Sequence, residues 1–150
     1  MLDERPAGSI AARAARRVGS GAVAVDVKRV CLLGAESTGK TTLAGALAAH
    51  FDTAWNPEYG RPYTQLGRSH DAPWTSSEFT HIARIQCWYE DFLAGLAERV
   101  LFTDTDAFTT AVFHEVYLGT PATEFDSEKV TFDSPRPITF VMWSHGLVGK

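Results

Sequence analysis

The sequence is poor in cysteine: Cys31 and Cys87 stand far apart, with no C-x-x-C spacing. That excludes a disulfide framework and suits reduced thiols, with Cys31 expected in the core of a first strand. No cluster of His and Cys falls at metal-ligand spacing. No apolar run approaches the length that spans a bilayer. Positive charge is not in excess either, since the net charge is −4, whereas phosphate-backbone binders are usually basic. The chain therefore reads as soluble and cytoplasmic, with neither a membrane nor a nucleic acid as partner. Its 150 residues, 45% hydrophobic and 21% charged, make one ordinary domain with little room for a second.

Asp and Glu are also missing from the stretch Arg5 to Arg17, where Arg13 and Arg16 alternate with alanines. Arg-rich, acid-poor beginnings can be organelle transit peptides. The plainer reading is a flexible Ala/Arg-rich leader over 1–27, or the remnant of a preceding domain. The domain proper is expected over 28–150.

What is present is concentrated in Gly34-Ala35-Glu36-Ser37-Thr38-Gly39-Lys40-Thr41, which spells G-x-x-x-x-G-K-[ST]. The apolar run Val30 to Leu33 leads in, and a helical run from Thr41 to Phe51 leads out. This strand–loop–helix context is what a phosphate-binding P-loop requires. Its glycines let successive N–H groups point at one spot, and the positive helix end adds to the field. Gly34, Glu36, Ser37, Thr38, Gly39, Lys40, Thr41 and Thr42 are thus the expected ATP-binding residues. Lys40 is placed to reach the β/γ oxygens and the Thr41 hydroxyl to hold Mg²⁺.

Further along, Leu43, Leu47 and Phe51 form an apolar stripe on the first helix. Thr53 to Asn56 reads as a second strand, and Glu58 to Tyr63 as a loop, because Gly60 and Pro62 interrupt regular structure. Thr75-Ser76-Ser77-Glu78 fits a capping box that opens a long helix. There Ile82, Ile85, Tyr89, Phe92 and Leu96 are expected to line a buried face. Val100 to Thr103 is a buried strand, a helix is expected from Phe108 to Leu118, stopped by Gly119 and Pro121, and Ile138 to Trp143 reads as another strand. The alternation predicts an α/β fold of P-loop NTPase type, an open parallel sheet flanked by helices. Asp104 emerges at a strand's carboxyl end, where such folds bind ligands. It is either the metal-side carboxylate, on the Mg²⁺ water shell, or a helix cap, and the two roles are compatible. Asp106 either caps the helix or accepts bonds from a substrate hydroxyl.

The P-loop followed by Trp55 to Tyr63 (WNPEYGRPY), Phe79 to Arg84 (FTHIAR) and Phe102 to Thr110 (FTDTDAFTT) occurs in this order. Together these segments resemble the nicotinamide riboside kinase domain of the bifunctional NMN adenylyltransferase/ribosylnicotinamide kinase family, over about Lys28 to Gly119. The P-loop alone is generic; the E-Y-G-R segment with the D-T-D strand end narrows it. The resemblance implies transfer of a phosphoryl group from Mg·ATP to the ribose 5′-hydroxyl of nicotinamide riboside. Lys40 and Glu58 are then the catalytic residues, Glu58 orienting or deprotonating the hydroxyl, unless it serves only as a salt-bridge partner of Arg61. Trp55, Tyr59 and Tyr63 could offer ring faces to the cationic pyridinium, Trp55 being equally a core residue, while Arg61 and Asp106 complete the substrate set. His81 and His114 read as structural or surface residues.

Pro62 stands where the family usually carries an acidic residue, and Ile85 where it usually has glycine. From Gly119 onward the resemblance stops, so residues 120–150 form an atypical tail and the sheet is expected to be incomplete at its C-terminus. An active kinase, an ATP-binding module without turnover, and another P-loop phosphotransferase or ATPase are the competing functions.

Overall fold

Local sequence explains where each element starts and stops. The computed structural model of the chain describes residues 27–35, 37–123 and 138–142. The leader up to residue 26, Glu36 and most of the atypical tail lie outside the described residues. Strand β1 (Lys28–Leu33) leads through the P-loop into helix α1 (Lys40–His50). Strand β2 (Trp55–Asn56) follows, then a helical turn (Gly60–Pro62) that runs into a π-helical turn (Tyr63–Gly67). Helix α2 (Ser76–Leu96), strand β3 (Val100–Thr103), helix α3 (Ala107–Leu118) and strand β4 (Ile138–Met142) complete the described chain. The strands make one sheet in the order β2-β3-β1-β4, and every pairing is parallel. Lys28 pairs with Val100 and Cys31 with Thr103, which brings the ends of β1 and β3 level. The expected P-loop architecture is therefore present. Among the described residues no helix is long and apolar enough to cross a membrane.

The caps behave as their chemistry dictates. The Glu78 carboxylate accepts from the Thr75 amide at 2.9 Å, the reach-back of the expected capping box. Asp106 caps α3, its Oδ1 accepting from the Thr109 amide at 2.8 Å. Gly119 ends that helix with φ 67°, a left-handed conformation that favours glycine.

Three expectations are corrected. On α1 the buried residues are Ala44 and Ala48, while Phe51 is 55% exposed. Small side chains let the helix sit close to the sheet, and the larger stripe of Leu43, Leu47 and Phe51 is pushed aside. On α2 only Ile82 of the expected stripe is buried; Tyr89 and Phe92 are exposed, and Gln86 and Glu90 are buried instead. Partners rather than hydropathy decide this: Glu90 accepts from Arg29 of β1 at 2.7 Å, and Gln86 is held by loop backbone. Third, Gly60 to Gly67 is helical. Pro62 falls in a first turn, where its missing N–H costs nothing, and Thr64 Oγ1 donates to the Gly60 carbonyl at 2.8 Å.

Ala54, Ala94, Ala97 and Leu101 form a buried apolar core, with Val27 and Leu93 packed against it. Cys31 lies fully buried in β1, as expected. Burial, aided by the negative charge of Asp106, pushes its thiol up to about 12, which makes it an inert core residue.

Candidate functional site

The site begins with backbone geometry. Ser37 (φ 59°) and Gly39 (φ 88°) are both left-handed, a curl that turns consecutive N–H groups toward a common centre. A Cβ on Gly39 would meet nothing within 4 Å, so conformation rather than space calls for glycine there. Lys40 Nζ donates to the Ala35 carbonyl at 2.6 Å, which folds the ammonium back over the loop. Thr38 Oγ1 donates to the same carbonyl at 2.8 Å. The first turn of α1 carries no acidic side chain, so its positive end is left to attract an anion. Thr42 is exposed beside this turn, and Glu36 lies outside the described residues.

Thr41 turns inward. Its hydroxyl donates to Asp104 Oδ2 at 2.5 Å, joining the P-loop to the carboxyl end of β3. Asp104 is buried, and its amide donates to the Asn56 carbonyl at 3.0 Å. A hydroxyl and a carboxylate in contact are hard oxygen donors. Mg²⁺ favours one or two such protein ligands, completed by waters and substrate phosphates. Among the described residues no group of three or more His, Cys, Asp or Glu could hold a metal. The donor set therefore fits a nucleotide-borne Mg²⁺ rather than a metal caged by the protein.

From this pair a cleft of about 540 Å³ opens. It is lined by Thr41 and Asp104, by Glu58, Tyr59 and Arg61 from the segment after β2, and by Tyr89 and Leu93 of α2. Arg61 Nη2 lies 3.3 Å from Glu58 Oε2, so Glu58 lines the cleft and is ion-paired as well. The Tyr59 and Tyr89 ring centroids are 6.4 Å apart. Five candidate residues thus converge on one cleft: Thr41, Glu58, Tyr59, Arg61 and Asp104.

Three others do not line it. Trp55 is half-buried on β2 beside α1, its Cε2 4.0 Å from where a Gly45 Cβ would lie. Tyr63 stands behind Tyr59, with ring centroids 6.3 Å apart, and its hydroxyl donates to Glu78 at 3.3 Å. Burial and the Glu78 charge raise the Tyr63 phenol above its ordinary value. Asp106 is occupied by its cap. His81 is exposed near Tyr59, and His114 is buried, its Nε2 2.7 Å from Ser76 Oγ. The sequence reading missed Tyr89 and Leu93 as lining residues. One signal was available: Trp88, Tyr89 and Phe92 crowd more aromatic surface into one turn of α2 than a sheet-facing stripe can bury.

Parallel sheet, P-loop and carboxylate at the neighbouring strand end together define a P-loop nucleotide-binding domain. The AAA domain family matches residues 29–140, and the chain belongs to that family. It is similar to the trifunctional NAD biosynthesis/regulator protein NadR of Escherichia coli, 41% identical over 95 residues that make up 62% of this chain and 23% of the relative. The NadR of Salmonella typhimurium matches to the same extent, 41% over 95 residues. The chain thus spans about a quarter of the length of these relatives. A crystal structure of NadR in complex with NR superposes with a TM-score of 0.56 at 28% identity, over 61% of this chain and 26% of that one. A NadR structure in complex with NAD and AMP-PNP gives a TM-score of 0.63 over 76% of this chain and 34% of that one. At 23% identity the second shares the fold alone.

Proposed function

We propose that the chain is an ATP-dependent kinase domain that phosphorylates the ribose 5′-hydroxyl of nicotinamide riboside, giving nicotinamide mononucleotide and ADP. The observation that carries this reading is a cleft lined by Thr41 and Asp104, which are hydrogen-bonded to each other, and by Glu58, Tyr59 and Tyr89. The likeness to NadR, one structure of which holds NR, supports the choice of acceptor.

Phosphoryl transfer is mainly positioning and charge neutralisation. The P-loop amides and the Lys40 ammonium hold the β- and γ-phosphates of the ATP substrate. Thr41 and Asp104 would hold Mg²⁺, which when bound supplies charge neutralisation at the phosphate oxygens. Glu58 accepts the hydroxyl proton, which a carboxylate can do when that proton leaves late in the transfer. The Arg61 contact aims the Glu58 carboxylate; half-exposed as it is, it adds little stability. Tyr59 and Tyr89 offer ring faces to the pyridinium cation. Tyr63 backs the Tyr59 wall, and Trp55 props α1 from outside the cleft.

The test is mass-detected nicotinamide mononucleotide from Mg·ATP and nicotinamide riboside, with purified chain beside Lys40→Ala. Product that vanishes in the variant is expected. A folded wild-type chain that forms none would remove the kinase reading. The second reading is a nucleotide-binding module without turnover. The same assay separates the two, since such a module binds Mg·ATP and forms no product.

A further inference from the structure

Gln86 lies in the middle of α2 and is 1% exposed. An uncharged polar side chain at such depth must have partners to offset its lost hydration, and these partners are unusual. Gln86 Oε1 accepts from the Tyr59 amide at 2.8 Å. Its Nε2 donates to the Pro57 carbonyl at 3.2 Å and to the Thr105 carbonyl at 3.0 Å. Both amide protons and the amide oxygen are therefore used, and no other side chain offers this set in this space. The partners also fix which way the amide faces, because one is a donor and two are acceptors.

The Pro57 carbonyl and the Tyr59 amide belong to the two peptide groups that flank Glu58. Thr105 follows Asp104 directly. One buried amide thus holds the backbone on both sides of the Glu58 carboxylate and ties it to the segment carrying Asp104. A second tie runs alongside, from the Asp104 amide to the Asn56 carbonyl at 3.0 Å. Asn56 Nδ2 in turn donates to the Gln86 carbonyl at 3.4 Å.

We infer that Gln86 is the positioning residue of the site, a buried staple that sets the spacing between the acceptor-side carboxylate Glu58 and the metal-side carboxylate Asp104. The assignment rests on the kinase reading for its consequence in turnover, and on the hydrogen bonds alone for the staple itself. Gln86 touches neither substrate nor the reacting atoms; it acts through the backbone of residues 57–59 and 105. Because transfer depends steeply on placement, with an error of about 1 Å able to cost about 100-fold, its loss should appear in kcat. The P-loop is built on other elements, and Asp104 keeps its own bonds to the Thr41 hydroxyl and the Asn56 carbonyl, so nucleotide affinity should hold.

The experiment compares wild type, Gln86→Met and Ala94→Gly in the purified full chain. Ala94→Gly loosens the same helix against the core around Leu101 without touching the staple, and so controls for lost stability. Three quantities are measured: kcat for nicotinamide mononucleotide formation, the Kd of a fluorescent ATP analogue with Mg²⁺, and hydrogen–deuterium exchange over residues 57–63. In Gln86→Met we expect kcat to fall about 10- to 100-fold, with Kd within about threefold and exchange faster over 57–63 alone. Ala94→Gly should leave that segment protected. Should Gln86→Met not fold, Gln86→Asn, which keeps the amide but cannot reach, is measured in the same way. Equal kcat losses in Gln86→Met and Ala94→Gly, or unchanged exchange over 57–63, would overturn the inference. A wild-type chain that binds Mg·ATP without forming product removes the kinase reading only. Exchange over 57–63 then decides the staple by itself.

Discussion

Replacing Asp104 by Asn separates what the carboxylate does for the fold from what it does for the metal. Its Oδ2 accepts the Thr41 hydroxyl at 2.5 Å, and the residue is 3% exposed. Asparagine has the same shape and keeps a partner for that hydroxyl. The charge-assisted bond, worth about 1.5–3 kcal/mol, becomes a neutral one worth about 1 kcal/mol. Against this, the desolvation penalty of a buried carboxylate disappears, so without nucleotide the fold should change by no more than about 1 kcal/mol. The metal side has no such compensation. Removing a carboxylate that orients the metal's ligands typically costs about 10- to 100-fold in affinity or activity, or about 1.4–2.7 kcal/mol. The assay is titration of a fluorescent ATP analogue into wild type and Asp104→Asn, once with Mg²⁺ and once with EDTA. With Mg²⁺, Kd should rise about 10- to 100-fold in the variant. In EDTA the two proteins should agree, or the variant should bind more tightly, because a negative charge beside the phosphates is gone. An equal loss under both conditions would show that Asp104 shapes the pocket without serving the metal, and the reasoning would fail.

Arg29→Met removes the ion pair to Glu90, which is 1% exposed and bonded to Arg29 at 2.7 Å, together with the one to Asp91 at 3.0 Å. Urea unfolding should show a loss of about 3–5 kcal/mol, largely recovered in Arg29→Met/Glu90→Leu; a loss under about 1 kcal/mol would mean that the pair is not structural. Glu78 supplies a pH dependence. Its burial raises the carboxyl's pKa, but bonds from Arg68 and Thr75 outweigh this and hold it below the ordinary value of 4.5. A depressed carboxylate stabilises the fold above its unfolded value and loses that contribution as pH falls through the folded one. Acid unfolding followed by fluorescence should therefore show Glu78→Gln less stable than wild type at pH 7, the gap closing below about pH 4.5. A gap that stays constant with pH would refute the assignment.

The phosphate end of the site was legible because it is local. A glycine-rich turn between an apolar strand and a helix fixes its own backbone, and Asp104 follows from the end of the next apolar run. Gly119 and the Thr75–Glu78 box were legible for the same reason. The part of the cleft lined by Glu58, Tyr59 and Tyr89 was not, because it is made by packing between distant segments. Period alone predicted that Tyr89 and Phe92 face the core; an ion pair to Arg29 and a backbone staple to Pro57 and Tyr59 turned the helix so that Glu90 and Gln86 do. Neither partner is visible from α2 itself. The helical turn at Gly60–Pro62 was misread for a smaller reason: proline interrupts a helix interior but is welcome in its first turn.

The distribution of buried polar groups carries one further step. Asn56, Thr103, Asp104, Thr105 and Asp106 are all buried, and all lie at or beyond the carboxyl ends of β2 and β3. Ala54, Ala94, Ala97 and Leu101 form the apolar cluster at the other end of these strands. Burying a polar group stabilises nothing unless it is bonded, and an unbonded one costs about 1–3 kcal/mol. Asn56 Oδ1 and Thr105 Oγ1 have no partner among the described residues. What this polar end does hold is Asp104, beside the Thr41 hydroxyl and tied to the Asn56 carbonyl. On the proposed kinase reading, these buried dipoles and charges are a stability cost accepted for function. On the proposed reading, Gln86 belongs to the site with Glu58 and Asp104, because its amide holds the backbone at Pro57, Tyr59 and Thr105.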